Sequence, residues 1–215
     1  MSPILLSIKL SLFATLILLI LCLPFAYLLA RVSFPGRRLL YMLTNLPLVL
    51  PPTVLGFYLL IAFSPNRALG AFMKEQGWPL VFSFTGLLIA SVIYSLPFML
   101  NALTTAIKAL PGSLFERAFL LDKSFFYKLF RLILPRITPA IVSGCVLSYA
   151  HTMGEFGVVM MIGGSKLGET KVASIAIFEA IETLDYAAAH EYSVILLAIS
   201  LAVLMTVSFL ERNKG

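Results

Sequence analysis

The sequence predicts an all-α integral membrane protein with five membrane-spanning helices. Of its 215 residues, 60% are hydrophobic and only 12% charged, against about 25% charged in a soluble domain. So little polar surface leaves the bilayer as the solvent. Runs such as LFATLILLILCL and YSVILLAISLAVLMTVSFL are apolar on every side of a helical wheel. They lack the period-2 alternation of barrel strands. Five windows approach the ~20 residues that a helix needs to cross the hydrocarbon core: Ile8–Ala30, Leu40–Phe63, Thr85–Ile107, Ile137–Ile162 and His190–Leu210.

The first window superficially resembles a cleaved signal, with Lys9, an apolar run and an Ala26/Ala30 spacing. Its length and the four spans behind it favour a retained helix. The second window carries NLPLVLPPTVLG, with Pro47, Pro51, Pro52 and Gly56. Proline removes a backbone donor, and broken backbone at membrane depth needs protein or a watery cavity around it. These prolines either mark the entry bend of the span or line a pathway. Cys22 and Cys145 both fall inside spans and read as small packing residues, not as a metal or disulfide framework.

Orientation follows from the loop cations. Arg31, Arg37, Arg38, Lys108, Arg117, Lys123, Lys128, Arg131, Arg136, Arg212 and Lys214 fall on one side, against Lys9, Arg67, Lys74, Lys166 and Lys171 on the other. The richer side is expected to be cytoplasmic, with the N-terminus outside and the C-terminus inside. This bias absorbs most of the net charge of +6 and leaves little for a nucleic-acid reading. Residues 1–215 read as a single domain. In the outer loop Ser64–Phe84, Trp78 suits the membrane interface. In the outer segment Ser165–Ala189, Val172, Ile175, Ala176 and Phe178 follow helical spacing and suggest an interfacial helix; Glu179, Glu182 and Asp185 argue against a further span.

One charged, amphipathic segment interrupts the apolar chain at 108–136. Pro111 and Gly112 stop the preceding helix, and Ser113 with Glu116 forms a capping box. A short helix is expected over Leu114–Leu121, a break at Asp122, and a second helix over Lys123–Leu134 that Pro135 ends. On a wheel at about 100° per residue, Lys123, Ser124, Tyr127, Lys128 and Arg131 share one arc. Phe125, Phe126, Leu129, Phe130, Leu132 and Ile133 fill the other. The segment either lies on anionic headgroups or docks a cytoplasmic partner.

The spacing resembles the cytoplasmic loop of ABC importer permeases: EAA, three residues, Gly, nine residues, then I-x-L-P. Here Glu116-Arg117-Ala118 is followed by Asp122 and by Leu132-Ile133-Leu134-Pro135 at the same intervals. Arg117 stands in place of an alanine, and Asp122 in place of a glycine at the turn. The resemblance implies that this loop docks into an ATP-hydrolysing subunit through Ser113, Glu116, Arg117, Ala118, Asp122, Leu132, Leu134 and Pro135.

In the fourth span, HTMGEFGVVMMIGG places Glu155 in an otherwise apolar helix. It is either a functional, bundle-facing carboxyl or a structural one that hydrogen-bonds two helices. Gly154-Glu155-Phe156-Gly157, together with PLVLPPTVLG, is similar to permease subunits of molybdate importers and their sulfate and tungstate neighbours, over nearly the whole chain. The resemblance implies the type I ABC importer permease fold in the bacterial or archaeal inner membrane. It further implies a homodimer with an interfacial path, a molybdate-binding protein outside, and ATP with Mg held by the ATPase partner, none by this chain. His151 stands where the family is expected to carry arginine; it either attracts an oxyanion or packs as a neutral ring. His151, Gly154, Glu155, Phe156, Gly157, Pro51 and Pro52 are the implied path or gate, where Glu155 would hold gate geometry through hydrogen bonds. Outside this family, the chain reads as a membrane scaffold or enzyme with a lipid-binding basic loop. GGSKLGETK lacks the P-loop spacing, so no ATP hydrolysis is expected here.

Overall fold

The computed structural model describes residues 2–115, 127 and 129–212, with side chains as far as 205. Within them the chain is helical throughout: α1 (Pro3–Arg31), α2 (Arg37–Asn45) running into a 3₁₀ turn (Leu46–Leu48), α3 (Pro52–Phe63), α4 (Ala68–Glu75) and α5 (Phe84–Ala109). After the 108–136 loop come a π-helical turn (Leu129–Ile133), α6 (Leu134–Gly154), α7 (Gly157–Gly163), α8 (Ala173–Glu182) and α9 (Tyr186–Arg212). Four helical segments are long and apolar enough to cross a membrane, or five if α2 and α3 together form one bent span.

The core is the triple contact of α1, α5 and α6. In lipid, hydrophobicity cannot decide which face of α1 turns inward, because every face is apolar; side-chain size can, since small residues let backbones approach. Leu10, Ala14, Leu18, Cys22, Ala26 and Leu29, spaced three or four apart, are buried, whereas Phe13, Leu16, Ile20 and Leu21 stay exposed. This stripe meets Met99, Leu100, Leu103 and Ile107 of α5 and Ile137 of α6. Leu129 and Ile133 close the cluster at one end.

That end is tied by Arg31. Its Nη2 donates to the carbonyls of Ile107 and Leu110, 2.6 Å each, at the close of α5. Its guanidinium lies over the Phe115 ring, 3.9 Å from the centroid. Helix C-termini leave carbonyls without intrahelical donors, and a cation is the favoured partner there.

The predicted spans at 8–30, 85–107 and 190–210 coincide with α1, α5 and α9. The second does not run straight. Its two halves, Arg37–Leu48 and Pro52–Phe63, meet at 111°, so the prolines break the segment in its middle and do not mark an entry bend. The fourth span is also interrupted: α6 ends at Gly154, Glu155 is extended (φ −70°, ψ 137°) and α7 restarts at Gly157. Glu155 therefore sits at a helix break, not inside a helix.

Pro135 does not end a helix as expected. It occupies the first turn of α6, where its missing N–H costs nothing, and the π-helical turn feeds directly into it. The wider turn also shifts the wheel: Leu129 and Ile133 are buried as the pattern requires, but Phe130 is 60% exposed. Residues 112–115 are helical, so Ser113 lies within the first turn. Glu116, Arg117, Ala118 and Asp122, with the expected break at Asp122, lie outside the described residues.

The segment Ser165–Ala189 forms a helix, α8, at the expected position, but its apolar face packs on protein. Val172 and Ile175 join Leu6, Leu10, Leu87 and Val159 in a second buried cluster. Val172 gives α8 no side-chain cap; Ser7 of α1 does so instead, its Oγ accepting from Ala173 N at 2.8 Å. On the exposed side of α8, Glu179 pairs with Lys171. That ammonium, and then the Ser165 hydroxyl, hold the Glu179 carboxyl below its ordinary value. A carboxyl depressed in the folded state stabilises above its unfolded pKa, about 4.3, and the contribution is lost as pH falls through the folded value. Protection of the α8 amides, corrected for the intrinsic pH dependence of exchange, should therefore stay constant from neutral pH to about 5 and fall below it, by a surface-pair margin of ~0.2–1 kcal/mol. Lys171→Ala should remove most of that fall.

Candidate functional site

The break at Glu155 is where most of the sequence-derived gate residues meet. α3 lies across α7 at van der Waals distance. A Cβ on Gly157 would stand 2.7 Å from Cβ of Pro52, and one on Gly56 would stand 3.1 Å from the Val158 backbone. Each glycine is therefore required by the approach of another segment, as in small-residue contacts between membrane helices generally. Gly154 differs, with nothing within 4 Å of an added Cβ. Gly154→Ala should be tolerated, whereas Gly157→Val should lower the thermal midpoint of the detergent-solubilised protein, an overpacking cost of ~1–3 kcal/mol. Equal midpoints would show that α3 and α7 do not touch.

Facing this contact, α5 and α6 enclose a polar cluster. Ser91, Tyr94, Ser95 and Phe98 occupy one face of α5 by their i, i+3, i+4, i+7 spacing, and His151, Thr152 and Glu155 come from the end of α6. Ser95 Oγ lies 3.0 Å from His151 Nδ1 and 2.8 Å from Thr152 Oγ1. The imidazole packs against Tyr94 (centroids 4.7 Å) and Phe98 (4.2 Å). Of the two readings of His151, this geometry is that of a packed, hydrogen-bonded ring.

Glu155 is only 5% exposed. Among the described residues neither carboxyl oxygen makes a well-formed hydrogen bond, and neither does the buried Ser91 hydroxyl, although Ser91 stands close enough to the carboxyl to interact with it. The hydrogen bond at the break is made by the main chain: Ser174 Oγ of α8 donates to the Glu155 carbonyl at 2.6 Å. Phe156 packs against Phe178 of α8, centroids 4.9 Å apart. The break is thus clamped by α3 on one side and α8 on the other, while its carboxyl is left unmatched. Pro51 is exposed at the start of α3.

Several polar contributors, Tyr94, Thr152 and Ser174 among them, are missing from the sequence-derived set. Ser91 and Ser95 are hydroxyls four residues apart in an apolar span, a spacing that puts them on one face. Asn101, one turn and a half further along α5, donates from Nδ2 to Asn45 Oδ1 at 2.6 Å and accepts from the Tyr41 hydroxyl at 3.0 Å. An amide inside a span was the available signal. Beside it, a recess of about 560 Å³ opens between α5 and α6, floored by the small side chains of Ala102, Ala106, Ala140 and Ser143.

Broken helices pressed together at a buried polar cluster, within a bundle of four or five spans, define a polytopic membrane protein built for passage rather than anchorage. Residues 22–211 match the family model described as the binding-protein-dependent transport system inner membrane component, and the chain belongs to that family. It is a multi-pass permease subunit of the inner membrane. Membership entails a solute-binding protein and an ATPase as partners, with nucleotide handled by the latter. The molybdenum transport system permease protein ModB of Azotobacter vinelandii is 36% identical over 211 residues, 98% of this chain and 93% of that protein. The sulfate transport system permease proteins CysT of Salmonella typhimurium and Escherichia coli are each 32% identical over 190 residues, covering 88% of this chain and 69% of theirs.

Proposed function

We propose that this chain, as one domain over residues 1–215, is the permease of a molybdate importer. It works as a homodimer of the type I importer fold, with the oxyanion path at the subunit interface. The observation that carries the reading is the near full-length likeness to a molybdenum permease. Sulfate is the second reading, favoured by the sulfate permeases at almost the same identity; tungstate shares the tetrahedral dianion chemistry.

The N-terminus lies outside and the C-terminus inside. This is supported by Arg31, Arg37, Arg38 and Lys108 gathering at one end of α1 and α5, while Lys9 lies over Phe84 at the other. The broken segments at Pro51, Pro52 and Gly154–Gly157 form the outer gate. The 108–136 loop couples it to two ATPase subunits, and molybdate is delivered by the external binding protein. Selection of the ion then rests largely on that protein, so the path needs no tight anion site, which suits a gate bearing a carboxyl.

The experiment is co-isolation with the ATPase followed by uptake in reconstituted vesicles. Unsubstituted protein should retain the ATPase and take up molybdate only with ATP. Glu116→Ala with Leu134→Asp should insert normally, lose the ATPase and lose uptake. Full transport by that variant would remove the docking role from residues 113–135.

A further inference from the structure

At the end of the bundle opposite the gate, a recess of about 330 Å³ is lined by Leu29, Arg37, Arg38, Tyr41, Met42 and Lys108. Three separate elements bring these cations together: α1 supplies the wall, the first turn of α2 supplies both arginines, and the last turn of α5 supplies Lys108. Among the described residues none of the three cations forms an ion pair. Arg37 makes one long contact, 3.5 Å to the Ala30 carbonyl, and Lys108 Nζ sits 5.3 Å from the Tyr41 ring centroid. Arg31 stands behind them with its Nη2 already committed to α5. α2 begins at Gly36 in a left-handed conformation (φ 86°), so its first turn has no side-chain cap, and its positive dipole end adds to the same field.

We propose that this recess holds the phosphate of an anionic glycerophospholipid. Arginine forks match phosphate oxygens in pairs, and basic pockets between membrane helices attract anionic headgroups. The walls argue for a lipid over a free anion. Leu39, Met42 and Leu43 are 61%, 68% and 54% exposed, giving α2 an outward apolar band beside the cations. A headgroup in the recess sets its acyl chains along that band, whereas a free dianion gains nothing from it. The inference rests on membrane residence alone and is independent of the transported ion.

The test is native mass spectrometry of the assembled transporter, delipidated and re-exposed to phosphatidylglycerol, to phosphatidylcholine, or to phosphatidylglycerol with excess inorganic phosphate. Phosphatidylglycerol should be retained, phosphatidylcholine should not, and phosphate should fail to displace the lipid. Arg38→Gln with Lys108→Gln should weaken retention by about fivefold or more. Arg38→Lys with Lys108→Arg should preserve it, as should Arg67→Gln with Lys74→Gln at the other end. Unchanged retention in the first pair, equal retention of phosphatidylcholine, displacement by phosphate, or failure of the charge-keeping pair would each overturn the proposal. Should the glutamine pair fail to assemble, the lipid comparison and phosphate competition on the unsubstituted transporter decide the matter.

Discussion

Glu155→Leu should make the protein more stable and stop it transporting. The carboxyl is 5% exposed, and among the described residues neither of its oxygens makes a well-formed hydrogen bond. A buried polar group without a hydrogen bond costs ~1–3 kcal/mol, and leucine of similar bulk removes that penalty while keeping the contacts around the α6–α7 break. A stabilised, inactive variant would identify Glu155 as a group kept for a conformation other than this one. Glu155→Gln, which keeps polarity without charge, separates the two requirements: partial uptake points to hydrogen bonding when the gate moves, and none points to charge. The readouts are the thermal midpoint in detergent and uptake in vesicles. A destabilised Glu155→Leu would mean that the carboxyl is satisfied in the assembled transporter, and unchanged uptake would remove it from the gate.

The second large effect is expected at Arg31. Its guanidinium joins the end of α1 to the end of α5 and to Phe115, inside the proposed coupling loop. Arg31→Leu removes two charge-assisted hydrogen bonds, worth ~1.5–3 kcal/mol each, and leaves the Leu110 carbonyl without its donor, while Ile107 keeps the Leu110 N–H. Phe115 loses the cation over its ring, ~0.5–2 kcal/mol more. One tie between the proposed coupling segment and the bundle is then lost, so ATP should be hydrolysed with about tenfold less uptake per turnover, equivalent to ~1.4 kcal/mol of lost coupling. Arg31→Lys should recover part of this, since an ammonium can reach a carbonyl but cannot stack flat on the ring. A lowered thermal midpoint with an unchanged ratio of uptake to hydrolysis would mean that Arg31 only stabilises the bundle.

The parts of this molecule that could be read in the sequence are those where hydrophobicity alone decides. α1, α5 and α9 are long apolar runs, although α1 and α9 run past Lys9 and Glu191, the charges nearest their predicted starts. The two broken segments are different. Pro47, Pro51 and Pro52 signal a break, but the angle of 111° depends on Pro52 meeting Gly157, more than a hundred residues away. Glu155 is flanked by Gly154 and Gly157, yet averaging hydropathy across them gives one continuous span. Pro135 was read as a terminator because proline ends helices more visibly than it begins them; the π-helical turn before it has no simple sequence mark. At the site, Pro52 meets Gly157 across the break, whereas Pro51 is exposed. Ser91, Ser95 and Asn101 were hidden because a few polar residues in a long apolar run hardly change its mean hydropathy, although their helical spacing was available.

A molybdate permease is tested most directly by uptake in the reconstituted transporter, with its binding protein and ATPase, of labelled molybdate in competition with unlabelled molybdate, tungstate and sulfate. Unlabelled molybdate and tungstate should suppress uptake at low concentration, with sulfate effective only in large excess. Sulfate outcompeting molybdate would contradict the assignment and make the chain a sulfate permease.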